Sequence, residues 1–227
     1  MGAVDQASGF AARLRHDTAA SHEAAENAGF ATRLATGDID RDGYGSFLVQ
    51  LEAIYHALER PAPVLRDDPV AGPFLFGELE RAGAIAADLQ ALWSGSRPAW
   101  VTVLPATAAY CARITAVAET WPAGYVGHHY LRYLGDLSGG QVIGRALSRS
   151  GDPQLQAATR FFTFDGIPKP KPFKDAYRDL LDRMPLGAQD QDDVIAEVND
   201  AFTLNGAVFN AVEAALASRD GAEAQLA

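Results

Sequence analysis

His22 lies on a stretch, roughly Phe10 to Asn27, in which Phe10, Leu14, Thr18 and His22 recur every four residues and so share one helix face, the face turned inward. Arg15, seven residues before the histidine, points nearly the same way, about 10 Å along the axis at 1.5 Å per residue. Glu26 lies one turn beyond His22, close enough for its carboxylate to accept the imidazole N–H. Such an acceptor fixes the tautomer of a metal-bound histidine. The same trio also suits a core histidine satisfied by a neighbour, since any buried imidazole wants a partner. His16, His56, His128 and His129 are the other imidazoles of the chain.

A second concentration is Tyr130 to Leu147, YLRYLGDLSGGQVIGRAL. Its apolar residues keep a helical period, yet Gly135, Gly139, Gly140 and Gly144 sit inside it. Each glycine costs about 0.5–1 kcal/mol relative to alanine in a helix, so the four together give up roughly 2–4 kcal/mol. Gly135 and Gly139 share one face, and Gly140 and Gly144 another. Bare faces let a second helix approach, or let the backbone lie against a flat ligand and kink there. Adjacent glycines in a Ser-Gly-Gly triplet favour the ligand. Asp136 is embedded in this run with Arg132 one turn before it, either as reactive neighbours or as a surface ion pair worth little.

The third concentration is basic. All three lysines, Lys169, Lys171 and Lys174, fall within six residues, interleaved with Pro168, Pro170 and Pro172. The prolines predict an extended approach, with a helix starting near Phe173 on which Lys174 and Arg178 share a face. In an acidic chain this suits a bound dianion or an acidic partner, or simply a solvated charged face.

The elements that must position these groups read as helices almost throughout. A helix capped by Asp40 carries Phe47, Leu48, Leu51, Ile54, Tyr55 and Leu58. Pro73 opens a segment running through Leu75, Phe76, Leu79, Ile85, Leu89 and Leu92. Pro105 opens another that closes at Trp121-Pro122. Ile195, Val198, Phe202, Asn205, Phe209, Val212 and Leu216 form a buried seam interrupted by one amide. Arg160 to Phe164 is the only strand candidate. The expectation is one all-α domain over residues 1–227, with its core at about 8–218.

Composition narrows the function. The net charge of -10 argues against nucleic acid and anionic lipid as partners. The single cysteine, Cys111, removes an internal disulfide and suits a reducing compartment. Met1 to Phe10 has no basic, apolar leader, and no stretch of about 20 apolar residues spans the chain. A soluble, cytoplasmic monomer without a membrane anchor is expected.

The segment Tyr133-Leu134-Gly135-Asp136-Leu137-Ser138-Gly139-Gly140-Gln141 resembles the signature of haem oxygenases, and His22-Glu23-Ala24-Ala25-Glu26-Asn27 resembles the region around that family's proximal histidine. Arg41-Asp42-Gly43-Tyr44, Tyr55-His56-Ala57-Leu58-Glu59, Phe161-Phe162-Thr163-Phe164, and Phe173-Lys174 with Tyr177-Arg178 follow in the family's order. The resemblance implies a helical bundle holding haem between a proximal and a kinked distal helix. It implies His22 as the iron ligand and Glu26 as its partner. Arg15, Lys174 and Arg178 would meet the propionates, with Tyr130 nearby. Gly135, Gly139 and Gly140 would form the distal wall, with Asp136, Arg132, Tyr55 and Asn205 in a water network. Ala19 departs from the family, many of whose members carry a second cation there.

The implied reaction consumes haem b, as substrate and cofactor, with dioxygen and electrons from a reductase or ferredoxin, releasing biliverdin, carbon monoxide and ferrous iron. Haem storage or sensing would use the same pocket without turnover. A di-iron carboxylate enzyme needs Glu-x-x-His pairs, and no glutamate here has a histidine three residues later. A purely structural adaptor leaves the glycine-studded helix without a purpose.

Overall fold

The computed structural model describes residues 9–27, 29–93 and 96–226, and every regular element among them is a helix. The reading of Met1 to Phe10 as lacking a leader therefore falls mostly outside the described residues. In chain order the helices are α1 (Phe10–Asp17), α2 (Ala19–Glu26), α3 (Gly29–Thr36), α4 (Arg41–Glu59), α5 (Ala62–Leu65), α6 (Ala82–Trp93), α7 (Pro105–Thr120), α8 (Pro122–Gly135), α9 (Gln141–Leu147), α10 (Pro153–Ala157), α11 (Pro170–Asp182) and α12 (Ala188–Leu226). Helix α12 packs along α7 and α8 and also reaches α2, α3 and α4, while α4 packs on α6 and α7. One continuous apolar cluster from Phe10 to Leu216 fills the space between them.

Local chemistry sets most boundaries as expected. The Asp40 carboxylate accepts the Gly43 N–H at 2.7 Å and caps α4. Proline opens α7 and α8, whose missing N–H groups would have been unpaired in a first turn anyway.

Four expectations need correction. The N-terminal helix is two helices, because Thr18 Oγ1 donates back to the Leu14 carbonyl at 2.8 Å and the backbone there leaves helical geometry. The segment after Pro73 runs first through the 3₁₀ turns Gly72–Phe74 and Gly77–Leu79. Its α-helix begins only at Ala82, whose N–H and that of Arg81 are capped by the Glu59 carboxylate. Helix α11 starts at Pro170, three residues before Phe173, since prolines are tolerated in a first turn. Finally, Arg160–Phe162 is a 3₁₀ turn and not a strand. The Arg160 and Phe161 amides are taken by the Asp88 carboxylate, and the Thr163 carbonyl by Arg81, so no partner remains for a ladder.

The seam on α12 also divides in two. Val194, Val198, Ala201, Val208, Val212 and Leu216 are buried in the core, whereas Phe202 and Phe209 are half-buried, on a second face.

Glu197 is a buried acid on α12. Its carboxylate accepts from His128 Nε2 at 2.8 Å and from the Arg113 guanidinium, tying α12 to α8 and α7. Burial pushes this carboxyl up, but the hydrogen bonds from His128 and Arg113 outweigh it and bring its pKa to about 2. A carboxylate depressed by folding stabilises the fold above its unfolded pKa and loses that contribution as pH falls through the folded value. The urea midpoint should therefore drop more steeply between about pH 4.5 and about 2 in the parent than in Glu197→Gln. Parallel pH curves for the two proteins would show that the pair contributes nothing to acid sensitivity.

Candidate functional site

Helices α1 and α2 on one side and the end of α8 with α9 on the other enclose a cavity of about 770 Å³. This lies within the roughly 300–1,000 Å³ range of small-molecule sites. Phe202, Asn205 and Phe209 of α12 line it, with Phe47 of α4 and the 161–162 turn; Lys174 and Arg178 of α11 stand at its edge.

His22 faces this cavity. The break at Thr18 separates it from the face that buries Phe10, Leu14 and Thr18, so its side chain is 51% exposed and not inward in the core sense. Its ring meets Phe202 edge-on at 5.6 Å, and Nδ1 lies 3.5 Å from Glu26 Oε2. A histidine so exposed needs no core partner, which removes the satisfied-core reading.

The other histidines are placed elsewhere. His128 is fully buried against Glu197, and His129 holds the Tyr177 hydroxyl at 2.9 Å while stacked on that ring. Burial lowers the His129 pKa to about 3, so it is neutral. His16 is exposed beside Asp17, and His56 is exposed on α4; neither they nor the buried pair line the cavity.

Opposite His22 the helix changes pitch. Asp136–Gly140 forms a π turn between α8 and α9, the local widening that recurs at functional sites. The four glycines serve two purposes. A Cβ built on Gly135 or Gly139 would meet nothing within 4 Å, so these two leave bare backbone on open space. A Cβ on Gly140 would come within 3.3 Å of the Phe162 ring, and one on Gly144 within 2.8 Å of Phe162 Cβ. Gly140 contributes backbone to the cavity wall, but its missing side chain makes room for Phe162. For that pair close packing is the physical reason.

Beside the π turn four polar side chains converge. Tyr55 donates a hydrogen bond to Asp136 Oδ2. The Arg132 guanidinium lies 3.7 Å from Asp136 Oδ1 and donates to Asn205 Oδ1 at 2.8 Å. All four are buried, so the Arg132–Asp136 pair is no surface ion pair. Burial raises the Asp136 pKa, and the Arg132 charge, the Tyr55 hydrogen bond and the more distant Arg81 charge pull it back. Such a carboxyl holds a proton more readily than a solvated one, which suits a group that must carry one at neutral pH.

Tyr110, which the sequence did not single out, presents a buried hydroxyl with no protein partner and feels the Arg132 charge. Arg132 Nε is likewise buried without a partner. Groups of this kind are normally satisfied by ordered water.

The mouth is cationic. Arg15, Lys174 and Arg178 line it together with Tyr130. Lys174 is the most constrained: burial, then the Arg178 and Arg15 charges, lower its pKa, and its Nζ contacts Ser138 Oγ at 2.8 Å. Arg178 has Asp175 as partner, while Arg15 and Lys174 have no carboxylate within ion-pair reach among the described residues. Three cations on one rim call for an anion with two negative groups. Ala19 lines the same cavity and adds no charge.

The arrangement suits a flat, largely apolar, dianionic ligand carrying a metal with one position open to imidazole. Residues legible only afterwards are the apolar walls, Phe47, Phe161, Phe162, Phe202 and Phe209, and the contact Ser138. The double-phenylalanine run was a visible signal without a visible purpose.

Comparison with known proteins agrees with this geometry. A profile of the family described as Heme oxygenase matches residues 8–211. A heme oxygenase of Porphyra purpurea is 34% identical over 92% of this chain and 89% of its own. Heme oxygenase 1 of Homo sapiens is 37% identical over 88% of this chain and 70% of its own. The structure of heme oxygenase-1 from Synechocystis in complex with heme superposes with a TM-score of 0.85 at 32% identity, covering 96% and 98% of the two chains.

The two glycine classes should separate on substitution. Gly139→Ala should match or exceed the parent's thermal midpoint, since alanine is favoured by about 0.5–1 kcal/mol in a helix and its Cβ meets open space. Gly144→Ala should lose about 1–3 kcal/mol by overpacking against Phe162. Calorimetry compares them, and equal destabilisation would make Gly139 a packing glycine after all.

Proposed function

The chain belongs to the haem oxygenase family, and from that premise we propose that it cleaves haem oxidatively to biliverdin, carbon monoxide and iron in the cavity between α2 and the π turn. The observation that supports this reading most is the pairing of an exposed histidine on one wall with bare glycine backbone and a buried, hydrogen-bonded carboxyl on the other.

When bound, haem supplies both the iron that activates dioxygen and the porphyrin carbon that is attacked. His22 is the residue to ligate the iron, with Glu26 accepting from Nδ1 and so favouring a neutral imidazole. Arg15, Lys174 and Arg178 hold the two propionates, and Tyr130 stands beside them.

Gly135 and Gly139 leave bare backbone on the wall across from His22, where any side chain would take up cavity space. Asp136 holds and passes protons at its carboxyl oxygens, oriented by the Tyr55 hydroxyl and Arg132. Asn205 in turn fixes Arg132. Together they would hold and pass protons at the Asp136 side of the cavity while the apolar walls exclude bulk water.

Electrons come from a flavoprotein reductase or ferredoxin, which we place at the basic rim where Lys169 and Lys171 are exposed beside the mouth. Among the described residues no helix is long and apolar enough to cross a membrane. We propose a single-domain, cytoplasmic monomer, a reading that the lone cysteine and the continuous core support.

Haemin, ascorbate and air should bleach the Soret band and yield a bile pigment. Asp136→Ala should bind haem with near-parental affinity yet lose at least about a hundredfold in pigment formation, the scale of one general acid–base group. His22→Ala should lose the iron–imidazole stretch in resonance Raman spectra. A stable haem complex that never turns over in the parent would make this a storage or sensing protein.

A further inference from the structure

Two buried charges outside the cavity grip the same short turn from opposite sides. Asp88 of α6 is fully buried, and its carboxylate accepts the Arg160 N–H at 3.0 Å and the Phe161 N–H at 2.8 Å. Arg81, at the head of α6 and 8% exposed, donates to the Thr163 carbonyl at 2.7 Å and to the Phe161 carbonyl at 3.5 Å. Its guanidinium lies 4.0 Å over the Phe164 ring and finds only carbonyl oxygens among the described residues, no carboxylate. Asp88 also lies 3.6 Å from the exposed Arg160 guanidinium and Arg81 also donates to the Leu79 carbonyl, yet each spends its shortest contact on backbone of this turn. Burying an acid and a base apart in this way is costly unless the turn must be held.

What the turn holds is the distal side of the cavity. The Phe161 ring packs edge-on against Tyr55 at 5.5 Å, and Tyr55 carries the hydrogen bond to Asp136. Phe162 occupies the space left by Gly140 and Gly144, and its carbonyl accepts from Gln141 Nε2 at 2.9 Å. Both the proton-handling carboxyl and the widened helix therefore rest on neighbouring rings of this one turn.

We infer that Asp88 and Arg81 are positioning residues for the reaction, acting through Phe161 and Phe162 to fix the π turn and the Tyr55–Asp136 contact. This rests on the reading of that wall as the reactive one. Neither residue touches the cavity, so their effect on turnover is wholly indirect. The clamp uses the amides on one side of the turn and the carbonyls on the other, so losing either charge leaves the turn free to rotate about the remaining one.

Amide hydrogen exchange on the chain without haem tests the clamp directly. In Asp88→Asn and in Arg81→Lys, amides of residues 136–144 should exchange at least about tenfold faster while those of α7 and the middle of α12 keep parental rates. Phe162→Leu should reproduce this pattern, and Asp88→Asn added to it should change the rates by less than the sum of the two single effects, because both act on one turn. If Asp88→Asn fails to fold, Arg81→Lys and Phe162→Leu carry the same comparison.

With haem, the dissociation constant should stay within about threefold of the parent while pigment formation falls at least about tenfold, a loss confined to turnover. Uniform acceleration across the chain, or none at residues 136–144, overturns the proposal. So does accelerated exchange with unimpaired turnover, which leaves the clamp a matter of folding only. Normal biliverdin formation by Asp136→Asn would instead overturn the reading on which the proposal rests, and the exchange data would stand apart from it.

Discussion

Everything on the π-turn side of the cavity answers to one constraint: main chain faces open space there with no side chain in front of it. An α-helix cannot meet it with ordinary residues, because every Cβ projects about a common cylinder. The chain meets it by widening Asp136–Gly140 into a π turn and leaving Gly135 and Gly139 bare. The widening also turns Asp136 toward Tyr55, so the same distortion that clears space brings a carboxyl beside it. Glycine's conformational cost, of order 1 kcal/mol per residue, must be offset elsewhere. Gly140 and Gly144 do part of that work by admitting the Phe162 ring, and the Ser138 hydroxyl, donating to the Leu134 carbonyl at 2.8 Å, holds the turn from within.

Charge is arranged with similar economy. A chain of net charge -10 gathers Arg15, Lys174 and Arg178 on one rim, close enough that Lys174 feels both arginines. Their repulsion is tolerable in solvent and becomes attraction once two carboxylates arrive. The distal side is the opposite case. There Asp136 and Arg132 are buried and held by named partners, Tyr55 and Asn205, with Arg132 Nε left over for water. An exposed rim suits binding of a charged edge; a dry network suits directed proton delivery.

The sequence disclosed the site better than the scaffold. His22, the glycine run and Asp136 were legible because each breaks a rule that ordinary helices obey, and the structure gathers every predicted site residue around one cavity or its polar neighbourhood. What stayed hidden depends on contacts between residues far apart in the chain. The kink at Thr18 is a hydroxyl bonding its own helix, which composition alone does not distinguish from an ordinary buried threonine. The turn at Arg160–Phe162 has strand-like residues, and Asp88, 73 residues before Phe161, with Arg81 keeps it from extending. Likewise Phe202 and Phe209 fit the α12 seam by period, but whether a half-turn offset faces core or cavity is decided by where α2 sits.

The two walls of the cavity differ in how they are held, and that difference follows from the residues each can spend. The glycine wall is fixed by buried charges and aromatic packing behind it, since it has no side chains of its own to anchor it. Helix α2 has side chains but buries none of them. Its ties are the Thr18 hinge, the Ser21 hydroxyl donating to Asn199 at 2.6 Å, and the edge contact of His22 with Phe202. Few buried apolar contacts mean low local stability for α2, so under the proposed reading it would draw on the ligand for order while the opposite wall is held from behind. A metal ligand can be recruited this way because a coordinate bond is strong and short. A steric wall cannot, for its function is to be in place before the reacting atoms are.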